Sequence, residues 1–156
     1  MEKRKAKKQD FDQYLKLKRQ STKEYSKLIG EKITFTDKQV KKEFNEFFSS
    51  GKRFLLIAKE DKRIIGYLIG TLVGREYQLM GYIDDIFVLK NFRNKKIGIC
   101  LIKEFIEILK QNRIRKCRLG VNLKNKKAIH LYKKLGFKIK HYEMDKKIRW
   151  KKNLSF

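Results

Sequence analysis

The stretch FVLKNFRNKKIGICLIKEF, residues 87–105, joins an apolar run to an amphipathic segment through a short basic turn. Apolar residues recur at helical spacing from 96 to 111, which predicts a helix beginning at this turn. The first N–H groups of a helix have no acceptor inside it, and its dipole favours negative charge there. Taken alone the pattern is more typical of a solvated loop, but it is also a candidate anion site, formed by Arg93, Asn94, Lys95, Lys96, Ile97, Gly98 and Ile99.

A second segment, NKKAIHLYKKLGF at 125–137, follows after one further predicted strand. Together the two segments resemble the GNAT superfamily of N-acetyltransferases. The coenzyme motif of that superfamily, Arg/Gln-x-x-Gly-x-Gly/Ala, is found here as Arg93 to Gly98, with Lys96 in place of the first Gly. Gly98 would let the backbone approach a bulky ligand without a Cβ in the way. The second motif, Asn-x-x-Ala-x-x-x-Tyr-x-x-x-Gly-Phe, is complete, with Asn125, Ala128, Tyr132, Gly136 and Phe137.

The rest of the pattern predicts the order of the elements. Strands are expected at residues 2–7, 53–60, 63–74, 77–90 and 115–122, with a final hairpin of Phe137–Tyr142 and Lys147–Lys152. Helices are expected after two capping boxes, at 96–111, and from Asn125 to Gly136. The boxes are Asp10 with Gln13, opening a helix that runs to about Leu28, and Thr36 with Gln39, opening one that Gly51 closes.

One domain over residues 1–156 accounts for this order. It belongs to the α/β class, with a mixed, mostly antiparallel sheet and helices on both faces. The opening RKAKKQDFDQYLKL is also similar to the first strand and helix of the superfamily, so the resemblance spans essentially the whole chain. It implies the GNAT acyl-CoA N-acyltransferase fold.

The resemblance also implies how acetyl-CoA would be bound. In that superfamily the strand before the coenzyme motif parts from the next strand, and the pantetheine arm enters the gap. The backbone of Ile86, Phe87 and Val88 would pair with this arm and donate an N–H to the thioester carbonyl. Asn125 would hydrogen-bond the coenzyme, and the small Ala128 would let it pass.

Amine acetylation needs a proton donor and a proton acceptor at one site. Tyr132 would protonate the leaving thiolate, because a phenol keeps its proton at neutral pH; the alternative is that it is only a core residue. Asp84 and Asp85 are candidate bases for the attacking ammonium, and a bound water is an equal alternative. Strand alternation puts the two acids on opposite faces unless a bulge intervenes. Asp84 is favoured, because IDDIFVL is similar to the Leu-Glu-Asp-Phe-Phe-Val pattern of diamine acetyltransferases.

We therefore expect an enzyme that transfers the acetyl group of acetyl-CoA to a primary amine. The acceptor would be a small-molecule amine, a polyamine or an amino acid derivative. A protein N-terminal or lysine acetyltransferase is the alternative, although some N-terminal enzymes of the superfamily place a Glu where this chain has Gly120. A non-catalytic, basic nucleic-acid-binding module is a third hypothesis.

Composition limits the partners. The 156 residues carry a net charge of +25, from 42 Lys and Arg against 17 Asp and Glu. The lysines are scattered along the chain, so we interpret the charge as compositional; a nucleic-acid or ribosome contact and a homodimer stay open. We expect no membrane span, no secretory signal and a cytoplasmic protein. Cys100 and Cys117 have no metal-ligand spacing, so we expect reduced core cysteines and no metal.

Overall fold

The structure is a computed structural model, and it describes residues 1–146 and 148. Its strands are β1 (Glu2–Lys5), β2 (Arg53–Glu60), β3 (Arg63–Val73), β4 (Met80–Val88) and β5 (Cys117–Leu119). Its helices are α1 (Phe11–Ile29), α2 (Asp37–Ser49), α3 (Ile97–Gln111) and α4 (Lys126–Lys134). Short 3₁₀ turns lie at Lys8–Asp10, Glu76–Gln78 and Lys90–Phe92.

The five strands form one sheet in the order β1-β2-β3-β4-β5. The first four are antiparallel neighbours, and β5 pairs with β4 in parallel. The parallel step is the one that α3 connects, because parallel neighbours need a crossover whereas antiparallel neighbours need only a turn. The mixed, mostly antiparallel sheet predicted from the sequence is confirmed.

Helices cover both faces of this sheet. Tyr67 of β3 contacts the ring of Tyr14 on α1, with 5.3 Å between ring centroids, and α2 adds Phe44 to the same aromatic cluster. Gly70, three residues further along β3, faces the ring of Phe105 on α3. Residues three apart on a strand point to opposite faces, so α1 and α2 lie on one side and α3 lies on the other.

The start of α1 differs from the predicted capping box. Asp10 is buried and accepts hydrogen bonds from the Arg4 guanidinium (2.7 and 3.0 Å) and from the Lys7 N–H (2.7 Å). Burial acts to raise the pKa of Asp10, but the bonds from Arg4 and Lys7 hold it below its usual value. Gln13 bonds the Lys62 carbonyl and the Ile64 N–H instead of capping the helix. Both side chains thus fasten α1 to the sheet.

The second predicted box is present. Thr36 Oγ1 accepts from the Gln39 N–H (3.2 Å), and Gln39 Oε1 accepts from the Thr36 N–H (2.7 Å). Gly51 follows the end of α2 with a left-handed φ of 61°. These contacts are local in sequence, which explains why the sequence pattern was sufficient to find them.

Three strand predictions were too long or wrong. The third strand begins at Met80 because a 3₁₀ turn occupies Glu76–Gln78, and β5 keeps only three of the eight predicted residues. Phe137–Tyr142 forms no strand. A strand needs a hydrogen-bonding neighbour, and its predicted partner, Lys147–Lys152, lies outside the described residues apart from Ile148. None of the described helices combines the length and apolarity required to cross a membrane.

Candidate active site

The turn before α3 keeps the backbone of a glycine although Lys96 occupies the position. Lys96 has φ 62° and ψ 9°, and Asn94 has φ 63°. This left-handed region is open to Gly, is tolerated by Asn, and is strained for Lys because Cβ approaches the following carbonyl oxygen. The loss of the motif glycine has therefore left the conformation of the turn intact.

The first turn of α3 provides free backbone donors. The first helical bond runs from the Cys100 N–H to the Lys96 carbonyl (3.0 Å), so helix geometry leaves the N–H groups of Ile97, Gly98 and Ile99 without intrahelical acceptors. A Cβ on Gly98 would lie 3.7 Å from Ile86 Cδ1, an ordinary contact. Gly98 therefore keeps a space open beside β4.

Arg93 has partners within the protein. Its Nε donates to the Val88 carbonyl (2.8 Å), one terminal nitrogen pairs with Glu24 of α1 (2.5 Å), and its guanidinium lies 5.4 Å from the centroid of the Phe87 ring. The side chain consequently ties the turn to β4 and α1. Lys96 is exposed and places a positive charge on a flexible side chain near the helix start.

β4 contains a bulge at Asp84. Asp85 pairs with Ile69 of β3, and the next pair is Ile83 with Gly70, so Asp84 is one residue more than β3 can match. A bulge of this kind breaks the alternation of the strand on which it lies.

The bulge reverses which backbone groups face each edge of β4. Before it, the Gly81 N–H donates to the Lys116 carbonyl on the β5 side (2.9 Å); after it, the Leu89 N–H donates to the Ile65 carbonyl of β3 (2.9 Å). Counting back from Leu89, the N–H and C=O groups of Val88 point away from β3.

By the same alternation, Ile86 also points away from β3, whereas the backbone of Phe87 points towards it. The pairing of β4 with β5 ends at Ile83 and Leu119. Beyond that point the described residues offer Ile86 and Val88 no neighbouring strand. The two strands thus part to leave a gap lined by backbone donors and acceptors.

Asp84 and Asp85 lie on the same face of the sheet. Asp84 accepts a hydrogen bond from Thr71 Oγ1 (2.5 Å), and Asp85 accepts one from the Tyr67 hydroxyl (2.7 Å). Tyr67 and Thr71 are four residues apart on β3 and therefore share a face, which is the face covered by α1. The bulge is the exception to strand alternation that the sequence analysis allowed for, because Asp84 is itself the extra residue of β4.

The two carboxylates differ in their surroundings. Asp85 is half-buried and forms an ion pair with Lys18 Nζ of α1 (3.0 Å). Asp84 is exposed, and its only described hydrogen bond comes from Thr71. Of the two, Asp84 therefore has more capacity to accept a proton from an external amine.

α4 carries the second motif. Asn125 caps this helix, with its side-chain oxygen accepting from the Ala128 N–H (3.2 Å), which leaves the side-chain NH₂ free to donate to a ligand. Tyr132 is half-buried, and its ring lies 5.9 Å from that of Phe137. Burial, followed by the negative charge of Asp85, raises the pKa of Tyr132 above its ordinary value of 10. The phenol is therefore a proton donor over a wide pH range.

The profile of the acetyltransferase (GNAT) family matches residues 17–137. The chain belongs to this family. The match includes β4, the Lys96 turn and α4, which are the elements that form the candidate site, and the resemblance inferred from the two sequence motifs is confirmed.

Among curated GNAT relatives, an uncharacterized N-acetyltransferase of Methanocaldococcus jannaschii is 45% identical over 58 residues, covering 37% of this chain and 26% of that protein. Mouse thialysine N-epsilon-acetyltransferase is 35% identical over 78 residues, covering 47% and 44%. These two matches span less than half of each relative. An N-alpha-acetyltransferase of Sulfurisphaera tokodaii is 28% identical over 120 residues, covering 65% and 69%.

Solved GNAT structures share the fold at low identity. A tetramutant of the BH1408 protein from Bacillus halodurans superimposes with a TM-score of 0.80 at 21% identity, covering 95% of this chain and 100% of that one. AAC(6')-Iy in complex with a bisubstrate analogue of CoA gives 0.79 at 17% identity, covering 96% and 98%. At these identities the likeness establishes the fold alone.

Sequence reasoning missed the residues that reach the GNAT site from other elements. They act through contacts distant in sequence, so no spacing in the chain reveals them. They are Lys18 and Tyr67 beside Asp85, Thr71 beside Asp84, Glu24 beside Arg93, and Tyr82, whose hydroxyl lies 3.0 Å from the position that a Cβ on Gly120 would take.

Replacing Lys96 with Gly should stabilise the protein. The substitution removes left-handed strain of about 1–2 kcal/mol, part of which is offset by the greater freedom of Gly in the unfolded chain. We expect the free energy of unfolding in urea to rise by up to about 1 kcal/mol. Lys95→Gly is the matched control: it removes the same charge at a residue without positive φ and should destabilise the protein. Equal effects of the two substitutions would contradict the assignment of strain to Lys96.

Proposed function

We propose that the protein transfers an acetyl group from acetyl-CoA to a primary amine by direct attack of the amine on the thioester. The observation that carries this proposal is the gap between β4 and β5 beside the free N–H groups of α3. Unpaired strand backbone next to a helix N-terminus suits a long thiol arm that ends in phosphates.

The coenzyme would be held mainly by backbone. The N–H groups of Ile97, Gly98 and Ile99 would donate to the diphosphate, with the Lys96 ammonium adding charge. Ile86 and Val88 would pair with the pantetheine arm, and an N–H from one of them would donate to the thioester oxygen as negative charge develops there. The backbone of Phe87 faces β3, which reduces the three pairing residues expected from the sequence to two.

Tyr132 would act as the general acid. As the amine nitrogen bonds to the carbonyl carbon, the C–S bond breaks and the phenol gives its proton to the leaving thiolate. The raised pKa of Tyr132 keeps its proton in place where a neighbouring amine is partly deprotonated, and it also makes the phenol a weaker acid towards the thiolate. The NH₂ group of Asn125 is free to orient the coenzyme near the thioester.

Asp84 is the favoured base for the amine. Its carboxylate is exposed and has a single described partner, the Thr71 hydroxyl, whereas Asp85 is already shared between Lys18 and Tyr67. The negative charge of Asp85 would instead help to keep Tyr132 protonated. A water held by either carboxylate remains the alternative carrier of the proton.

The acceptor we propose is a small molecule with a primary amine, such as an amine or an amino acid derivative. The mouse relative named for thialysine supports this class. Because Lys18 already pairs with Asp85, that carboxylate offers no unpaired charge to a second ammonium of the acceptor. A protein N-terminus is the second candidate, supported by the N-alpha-acetyltransferase of Sulfurisphaera tokodaii.

Tyr132→Phe should lower kcat by about 10²- to 10⁴-fold and leave the affinity for acetyl-CoA nearly unchanged. The measurement is release of free thiol from acetyl-CoA across a panel of amines and peptides. In the unmodified protein the alkaline decline of kcat that reflects this phenol should lie above pH 10, since its pKa is raised. Tyr25→Phe, at an exposed position on α1, is the control, and normal turnover in Tyr132→Phe would remove the assigned role.

Asp84→Asn should lower kcat/KM at neutral pH by about 10- to 100-fold, and the defect should shrink as pH rises. The reason is that a more alkaline solution supplies the deprotonated amine without a base. A pH profile of both Asp84→Asn and Asp85→Asn separates the candidates. If only Asp85→Asn shows a defect that alkaline pH relieves, the roles of the two acids are exchanged.

Lys18→Met should change acceptor preference. Without its ammonium, Asp85 becomes free to attract a second positive charge, so the ratio of kcat/KM for a diamine over a monoamine should rise up to about tenfold. Lys16→Met, at an exposed position on the same helix, is the control for the loss of charge. An unchanged ratio in Lys18→Met would mean that Asp85 lies outside the acceptor pocket.

A further inference from the structure

Acidic residues are unevenly distributed along the chain. Residues 108–142 contain 12 Lys and Arg and no Asp or Glu. All 17 acids therefore lie before Ile108 or after Tyr142. Lysines are frequent along the whole chain, so their positions do not distinguish this segment. The absence of Asp and Glu does.

Nearly all cations of this segment are exposed and have no acidic partner among the described residues. Lys110 pairs with Glu107, but none of the eleven that follow has a carboxylate partner within the described part of the chain. Lys124 alone makes a described hydrogen bond, to the Ile29 carbonyl (3.3 Å). All eleven side chains are exposed, and we call them the basic face: Arg113, Arg115, Lys116, Arg118, Lys124, Lys126, Lys127, Lys133, Lys134, Lys138 and Lys140.

Several cations outside the basic face are paired with acids. Arg4, Lys18, Arg19, Arg53 and Arg93 each form an ion pair with Asp or Glu. Eleven uncompensated charges on one segment repel one another, and an anionic partner would remove that repulsion.

α4 concentrates the charge on a single stripe. Its exposed residues are Lys126, Lys127, His130, Lys133 and Lys134, which recur at helical spacing. The two lysine pairs at its ends are separated by two helical turns, about 10 Å. β5 at the edge of the sheet carries a further exposed cation, Arg118.

The opposite side of α4 argues against a membrane. A helix that lies on a bilayer inserts its apolar face between the lipids. Here Tyr132 and Leu135 are packed against the protein core, so that face is not available. The phosphate backbone of a nucleic acid binds surface cations without inserting an apolar face. It therefore fits the basic face better than a lipid surface does.

We propose that the basic face binds nucleic acid through its phosphate backbone, without reading base sequence. Lysine and arginine side chains in such a contact displace condensed counterions, which makes the affinity strongly dependent on salt. The surface lies on the helix that carries Tyr132, so bound nucleic acid would be held beside the candidate active site. This binding is independent of acetyl transfer.

The test compares two variants with the same net charge. The first changes Lys126, Lys127, Lys133 and Lys134 to Gln. The control changes four exposed lysines of α1 and α2 to Gln, namely Lys23, Lys27, Lys38 and Lys42. Fluorescence anisotropy with a labelled duplex of about 20 base pairs gives Kd from about 50 to 200 mM salt.

We expect the α4 variant to bind at least about tenfold more weakly, with a salt slope lower by up to about 4, since each phosphate contact contributes about 1. The control should bind like the unmodified protein. Equal weakening of both variants would mean that overall charge alone drives binding and would overturn the proposal. Circular dichroism and acetyl-CoA binding confirm that each variant folds.

Two further probes test the kind of partner. Anionic phospholipid vesicles and poly-glutamate are offered at the same charge concentration as the duplex. Binding to either that equals duplex binding and is lost with the α4 lysines would overturn the assignment to nucleic acid. Weak, variant-independent binding to both would support it.

Discussion

Asp84 is the residue of β4 for which β3 has no partner, and the geometry of the candidate site depends on that mismatch. The extra residue turns the backbone of Ile86 and Val88 away from β3, at the place where β5 has already left the sheet. It also brings Asp84 and Asp85 to one face. A regular strand would direct those backbone groups into the sheet and separate the acids, so the slot and the acid pair have a common origin.

A second constraint acts where the chain leaves β4. The turn into α3 needs a left-handed residue just before the helix, and this chain supplies Lys96 where the family motif has Gly. Lys96 keeps the left-handed conformation although it is strained there. This indicates that the direction of the first N–H groups of α3 matters more than a strain-free turn. Arg93 holds the same turn against β4 and α1 through its side chain.

Charge is organised in two ways on this molecule. Around the site, two cations are paired with acids: Lys18 pairs with Asp85, and Arg93 pairs with Glu24. From Arg113 to Lys140 the segment contains no acid, and its cations form no ion pair with the described residues. The net charge of +25 therefore does not show that Lys18 and Arg93 at the site are ion-paired while the cations of the basic face are not. The basic face would attract a phosphate chain more strongly than it would an amine.

The sequence by itself determined the family, the order of the elements and the motif residues, because helix periodicity, the Thr36–Gln39 box and the Asn125 motif are local patterns. It misjudged contacts between distant residues: Asp10 and Gln13 bind the sheet, and Phe137–Tyr142 forms no strand. Only the tertiary structure decided that the two acids share a face and that Lys18 forms an ion pair with Asp85. Both depend on strand register and on a helix packed across the sheet, and neither leaves a periodic signal in the chain.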